Sequence, residues 1–121
     1  MGDRVLMQCI IRKTGAFGPV IYGHCCGSDA PKIIAAAKAQ MIGHAGDVEY
    51  FSARLVQQVC ATDPNGNTGA GIWNATGILT ADDSQGDAGV ILIDVDTGEI
   101  TILDGYLERA SYYNVPAEGG A

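Results

Sequence analysis

Val90-Ile91-Leu92-Ile93-Asp94-Val95, then Asp96-Thr97-Gly98, then Glu99-Ile100-Thr101-Ile102-Leu103 is the stretch that decides the fold. β-branched and leucine side chains fill both arms, and the short middle segment offers Gly98 for a positive φ, so the reading is a hairpin. Both arms are apolar on alternate and intervening positions alike. Strands with that pattern are central in a sheet or lie at a second buried interface. Asp104-Gly105 ends the hairpin, and Tyr106 to Tyr113 is expected to form one or two helical turns before a frayed tail from about residue 115.

Upstream of the hairpin, Asp82 to Gly89 reads as an acidic loop. Ala70 to Leu79 is β-like but interrupted by Gly71 and Gly77, which suggests a bulge or a close backbone approach. Asp63-Pro64-Asn65-Gly66 has the residues of a type I turn. Before that turn Val48, Phe51, Leu55 and Val59 recur at helical spacing, with Val56 and Cys60 widening the stripe. Asp47 is the expected N-cap and Glu49 favours the positive helix end.

An earlier helix carries Ile34, Ala37 and Met41 on one face, broadened by Ile33, and Gly43 is placed to end it. Ser28 or Asp29 can cap it, with Pro31 in its first turn. Val5 to Arg12 and Pro19 to Cys26 read as the first two strands, joined by a loose Lys13 to Gly18 loop. The order β-β-α-α-β-β-β predicts one α+β domain over residues 1–121, with an antiparallel sheet of about five strands and two helices on one face.

The chain has 121 residues, enough for one domain with its own core. Apolar residues reach 47% and charged residues only 17%, below the ~25% usual in soluble domains. A buried contact between copies would absorb the spare apolar area, so a homo-oligomer is expected, with a homodimer the commonest form. No leader pattern and no apolar run near the ~20 residues of a membrane span occur, which points to a cytoplasmic protein without membrane contact. Cys9, Cys25, Cys26 and Cys60 lack zinc spacing and read as reduced thiols, Cys9 and Cys60 acting as small hydrophobes.

Charge is unevenly distributed: residues 1–60 sum to +2 and residues 61–121 to −9, giving −7. That balance opposes nucleic acid and favours basic partners. Arg4, Arg12, Lys13, Lys32 and Lys38 are read as solubilising groups on strand ends and a helix back.

No motif names a reaction. His24-Cys25-Cys26 stands just before a helix start, where a thiol pKa can fall, but neighbouring strand residues diverge. With His44 these residues form the cysteine–histidine set of an alternative enzyme reading. Asp63-x-Asn65-x-Asn67 opens like a calcium loop but then has Thr68 and Asn74 where Gly and Glu are needed, so turn chemistry explains it better. Gly66-x-x-Gly69-x-Gly71 precedes a strand rather than a helix and cannot cradle phosphate as a nucleotide loop does.

Trp73 and Asn74 with Tyr106, Tyr112 and Tyr113 could serve recognition, although the area of Trp73 favours the core. The expected function is a small acidic binding module, engaging a basic protein or a small ligand through Trp73, Asn74, Asp82, Asp83, Asp87 and Tyr106, without a cofactor. The alternative is a small enzyme with a pocket between helices and sheet, built on Cys25, Cys26, a histidine and Asp82 or Asp87.

Overall fold

The computed structural model describes residues 3–67 and 69–109. The expected tail and Tyr112 and Tyr113 lie outside these residues. Strand β1 (Val5–Ile11) runs into a tight hairpin with β2 (Ala16–Phe17), and β3 (Val20–Gly23) follows. Helices α1 (Ala30–Ala39) and α2 (Val48–Ala61) come next. Strands β4 (Ala70–Trp73), β5 (Gly89–Asp94) and β6 (Ile100–Leu103) complete a six-stranded sheet ordered β4-β3-β1-β5-β6, with β2 paired to β1. The class is α+β as expected, but the sheet is mixed: β1 pairs in parallel with β5, from Val5↔Gly89 to Ile10↔Asp94.

The expected loose loop between the first strands is instead part of one long hairpin arm. β2 pairs with Ile10 and Ile11 and β3 pairs with Val5 to Met7, so both extend along the same side of β1. Gly18-Pro19 breaks the arm between them. A Cβ at Gly18 would stand 2.9 Å from Ser52 Oγ and from Val48 Cγ1, so α2 approaches the backbone there. Pro19 has no N–H to give the ladder.

Both helices cover one face. Val5, Met7, Cys9, Ile21, Ile91 and Ile93 meet Ile33, Ile34, Ala37, Phe51, Leu55 and Val59. Asp47 caps α2 as its position predicts, accepting from the Tyr50 N–H at 2.9 Å. Helix α1 departs from expectation at both ends. Neither Ser28 nor Asp29 makes a side-chain cap bond; a 3-10 turn (Gly27–Asp29) leads in, and Asp3 accepts from the Ser28 N–H at 2.8 Å. The helix stops at Ala39, and Gly43 takes φ 83 in the turn beyond it.

Lys38 is a further correction. It is 1% exposed rather than solvated on the helix back, with Nζ donating to the Gly98 carbonyl at 3.3 Å. Burial lowers its pKa from the ordinary value.

The expected strand from Ala70 to Leu79 also stops early. After Trp73 the chain leaves the sheet edge and crosses the other face, setting Ala75, Ile78 and Leu79 over Leu6, Ile10, Val20, Val90 and Leu92. Gln8, fully buried on central β1, draws it there. Its amide donates to Gly18 O at 3.1 Å and Gly77 O at 2.9 Å, and its oxygen accepts from the Leu79 N–H at 2.8 Å. A loop cannot satisfy its own backbone as a helix does, so a buried amide supplies the partners.

Candidate functional site

The sheet has two poles. At one, β1 and β5 begin while β3 and β6 end; at the other, the β5–β6 turn meets the β1–β2 turn. A cleft of about 470 Å³ opens at the first pole, where β3 ends, α2 ends and β4 begins. Its walls include His24, Cys25, Cys26, Val59, Cys60, Thr62, Asp63, Gly69 and Ala70. The Asp63–Gly66 turn shapes one side, closed by the Gly66 N–H to Asp63 O bond at 3.0 Å, as its sequence predicts.

Within this cleft the cysteines have different fates. Cys26 is buried, its sulfur lying against Gly23. Burial pushes its thiol up to about 11, helped by the negative charges of Asp29 and Asp3, while a side-chain hydrogen bond with Thr62 acts in the opposite direction. Cys25 and Cys60 are exposed, so Cys60 leaves the apolar stripe expected of it. Cys9 sits under the helices, its thiol pushed up to about 12 by burial.

His24 joins its strand neighbour rather than a thiol: its Nδ1 lies 2.6 Å from Tyr22 Oη. The Tyr22 ring lies 6.1 Å from the His24 ring and 6.0 Å from the Trp73 ring, so the three aromatics form a row on the loop-covered face. Trp73 is 43% exposed on β4 instead of buried in the core, and Asn74 beside it is exposed. His44 lies near the opposite pole, stacked on Tyr50 at 3.7 Å, where the Gly46 N–H donates to Val95 O. The structure therefore brings His24, Cys25 and Cys26 around one cleft and leaves His44 out of it.

The acidic groups divide between the poles. Asp87 and Asp104 stand at the cleft pole: the Tyr106 N–H donates to Asp87 O, and Ser84 Oγ donates to Asp104 O. Tyr106 Oη donates to Asp3 at 2.6 Å. Asp82 and Asp83 occupy a 3-10 turn (Ala81–Asp83) in the segment leading to β5, with Asp83 accepting from the Thr80 N–H at 2.7 Å. Asp94, Asp96 and Glu99 lie at the far pole. There Asp94 is buried and accepts from the Arg12, Asp96 and Thr97 N–H groups.

First-half cations reach both sets. Arg4 Nε is 3.0 Å from Asp87, and Arg12 Nε is 3.8 Å from Glu99. The Arg4 backbone N–H and then its guanidinium hold the Asp87 carboxyl below its usual range. Among the described residues no group of three His, Cys, Asp or Glu side chains is placed to hold a metal ion. Asp63 and Asn65 belong to the turn beside the cleft, and Asn67 follows it.

Sequence reasoning missed Cys60, Thr62 and Gly69 as cleft residues. The available signal was the Asp63-Pro64-Asn65-Gly66 turn, which ends α2 and returns the chain to the sheet edge beside the end of β3. The fold and cleft define a small α+β domain with a concave end beside β3 and β4; no family model, curated protein or solved structure matches the chain. Among the described residues no helix is long and apolar enough to cross a membrane.

Proposed function

We propose that this chain is a small acidic binding module of the cytoplasm, working as a homo-oligomer, that takes a cationic small molecule in the cleft between β3, β4 and the end of α2. The observation carrying this reading is the position of the cleft. It has the size of ligand pockets, with apolar walls and a few polar groups, and lies at the pole shared by Asp3, Asp87 and Asp104, with Asp63 in its wall. Arg4 offsets Asp87, while Asp3 and Asp104 at that end and the net charge of −7 favour a cation over an anion. The four free cysteines suit a reducing compartment.

The test is amide chemical-shift mapping with benzylamine and agmatine against uncharged analogues of the same shape. Shifts at His24, Cys60, Gly66 and Ala70, stronger for the amines and weakened by salt, are expected. Equal response to charged and neutral compounds, or no response in the cleft, overturns the reading. A lysine-rich peptide that shifts Asp82, Asp83 and Asp104 while leaving the cleft silent would replace the small ligand by a basic protein.

A second reading is a small enzyme in the same cleft, favoured by His24, Cys25 and Cys60 lining it together. Against it, His24 is engaged by Tyr22, and the buried Cys26 is held as a neutral thiol. Rapid, selective carboxamidomethylation of Cys25 by iodoacetamide at pH 6 would bring this reading forward.

A further inference from the structure

The sheet ends at β4, and that edge is built differently from the rest of the surface. From Pro64 to Ala81 the sequence carries no charged residue, and neither do Thr14 to Ser28, which include β3, or Leu55 to Thr62 of α2. Where they meet, at β3, β4 and the end of α2, they form an uncharged corner of a chain whose net charge is −7. Two such chains repel unless they meet where neither is charged. The corner exposes Ile72 at 56% and Trp73 at 43%, on opposite faces of the same edge strand. An apolar hollow of about 200 Å³ between β4 and α2 adjoins Ile72. Edge strands are normally blunted by charge, proline or a bulge; β4 has neither a charge nor a proline, whereas the β6 edge is flanked by Glu99 and Asp104.

Backbone geometry specifies what fits. His24 N–H donates to Gly69 O at 2.9 Å, and the register continues through Tyr22↔Gly71 to Val20↔Trp73. In an antiparallel ladder the bonded pairs alternate. Gly69, Gly71 and Trp73 therefore turn their backbone groups toward β3, while Ala70 and Ile72 turn theirs to the open side. We propose that a second copy of this chain occupies that side, β4 pairing antiparallel with β4 of its partner about a two-fold axis at Gly71.

This register bonds Ala70 to the partner's Ile72 and Ile72 to the partner's Ala70. Every large side chain then faces a small one: Ile72 opposite alanine, Trp73 opposite Gly69, and glycine against glycine on the axis. The contact is self-complementary, as a two-fold requires. It also sets the partner subunit's Trp73 opposite Gly69, on the loop-covered face where His24, Tyr22 and Trp73 form their row.

The inference rests on the homo-oligomer reading above, and the experiment separates the two. Sedimentation of the full chain from micromolar to millimolar loading should show a dimer, and Ile72→Lys should weaken association more than about tenfold with unchanged circular dichroism. In a Cys25→Ser, Cys60→Ser background, Gly71→Cys should form an intermolecular disulfide under mild oxidation, because the two Gly71 positions face each other as a non-bonded pair. A Cβ at Gly71 has ordinary room, its nearest neighbour being the Trp73 ring at 3.8 Å. Ala70→Cys, whose opposite number is Ile72, should not crosslink. A dimer that survives Ile72→Lys, or one that crosslinks at Ala70 and not at Gly71, overturns this interface and leaves the oligomer reading standing. A monomer at every concentration overturns both.

Discussion

The two faces of the sheet are covered by different means. On one, α1 and α2 supply cover whose backbone is satisfied by its own helical bonds, so the contact is side chain against side chain. On the other, residues 74–79 lie across the strands without a helix, and Gln8 reaches up from β1 to hold Gly77 and Leu79. The first arrangement spreads its stability over many apolar groups. The second joins a smaller apolar contact to one buried amide, so the loop-covered face is expected to open more easily.

Leu55→Ala on the helix face should have the largest effect. Its side chain is fully buried beneath α2, so a cavity costing about 3 kcal/mol is expected from urea unfolding, without change in the loop. Gln8→Ala should cost about 2 kcal/mol by orphaning Gly18 O, Gly77 O and the Leu79 N–H. Its distinctive sign is faster amide exchange at Leu79 than in α2. Equal acceleration in both places would mean that the faces do not open separately.

Lys38→Met should act in the opposite direction, stabilising by about 1 kcal/mol, because a buried cation on the helix-covered side gives way to an apolar chain of similar shape. Its lowered pKa fixes the sign. Lys38 contributes its full stability above the ordinary lysine value of 10.5 and loses it as pH falls through the folded value. Wild type should therefore gain stability on going alkaline, and the Met variant should gain less.

The smallest effect belongs to Asp87 at the cleft pole. Its depressed pKa contributes stability above the ordinary value of 3.8 that is lost as pH falls through the lower folded one. Asp87→Asn should lower the melting temperature slightly at pH 7, where the carboxylate's contribution is present, and should flatten its fall below about pH 4, where variant and wild type converge.

Much of this contrast was legible in residue order. The α2 stripe, its Asp47 cap and the Asp63–Gly66 turn are local, and local rules place them. The hairpin from Val90 to Leu103 also forms, with β5 buried on both faces as its composition requires. What composition could not supply was the neighbour of β5. Hairpin logic pairs sequential strands, whereas β1 and β5 lie far apart in the chain and pair at the centre of the sheet, where both faces are covered. Gln8 shows the same limit: one polar residue inside Val-Leu-Met-Gln-Cys-Ile-Ile looks like a break in the pattern until Gly77 and Leu79 are seen above it.

The cleft divides in the same way. His24, Cys25 and Cys26 could be named from adjacency, but Cys60 reached the same wall through the end of α2, and His44 was carried toward the opposite pole by the turn of α1. Lys38 looked like a helix-back cation because the spacing of a stripe does not show how deep the helix sits.

The parallel contact of β1 with β5 also sets an order of events. Val5 has no sheet neighbour on that side until Gly89 arrives. A nascent chain emerging from the ribosome can wind its helices and close its first hairpin, yet β1 stays open on one side until translation has passed β5. During that interval the growing polypeptide is most in need of a chaperone.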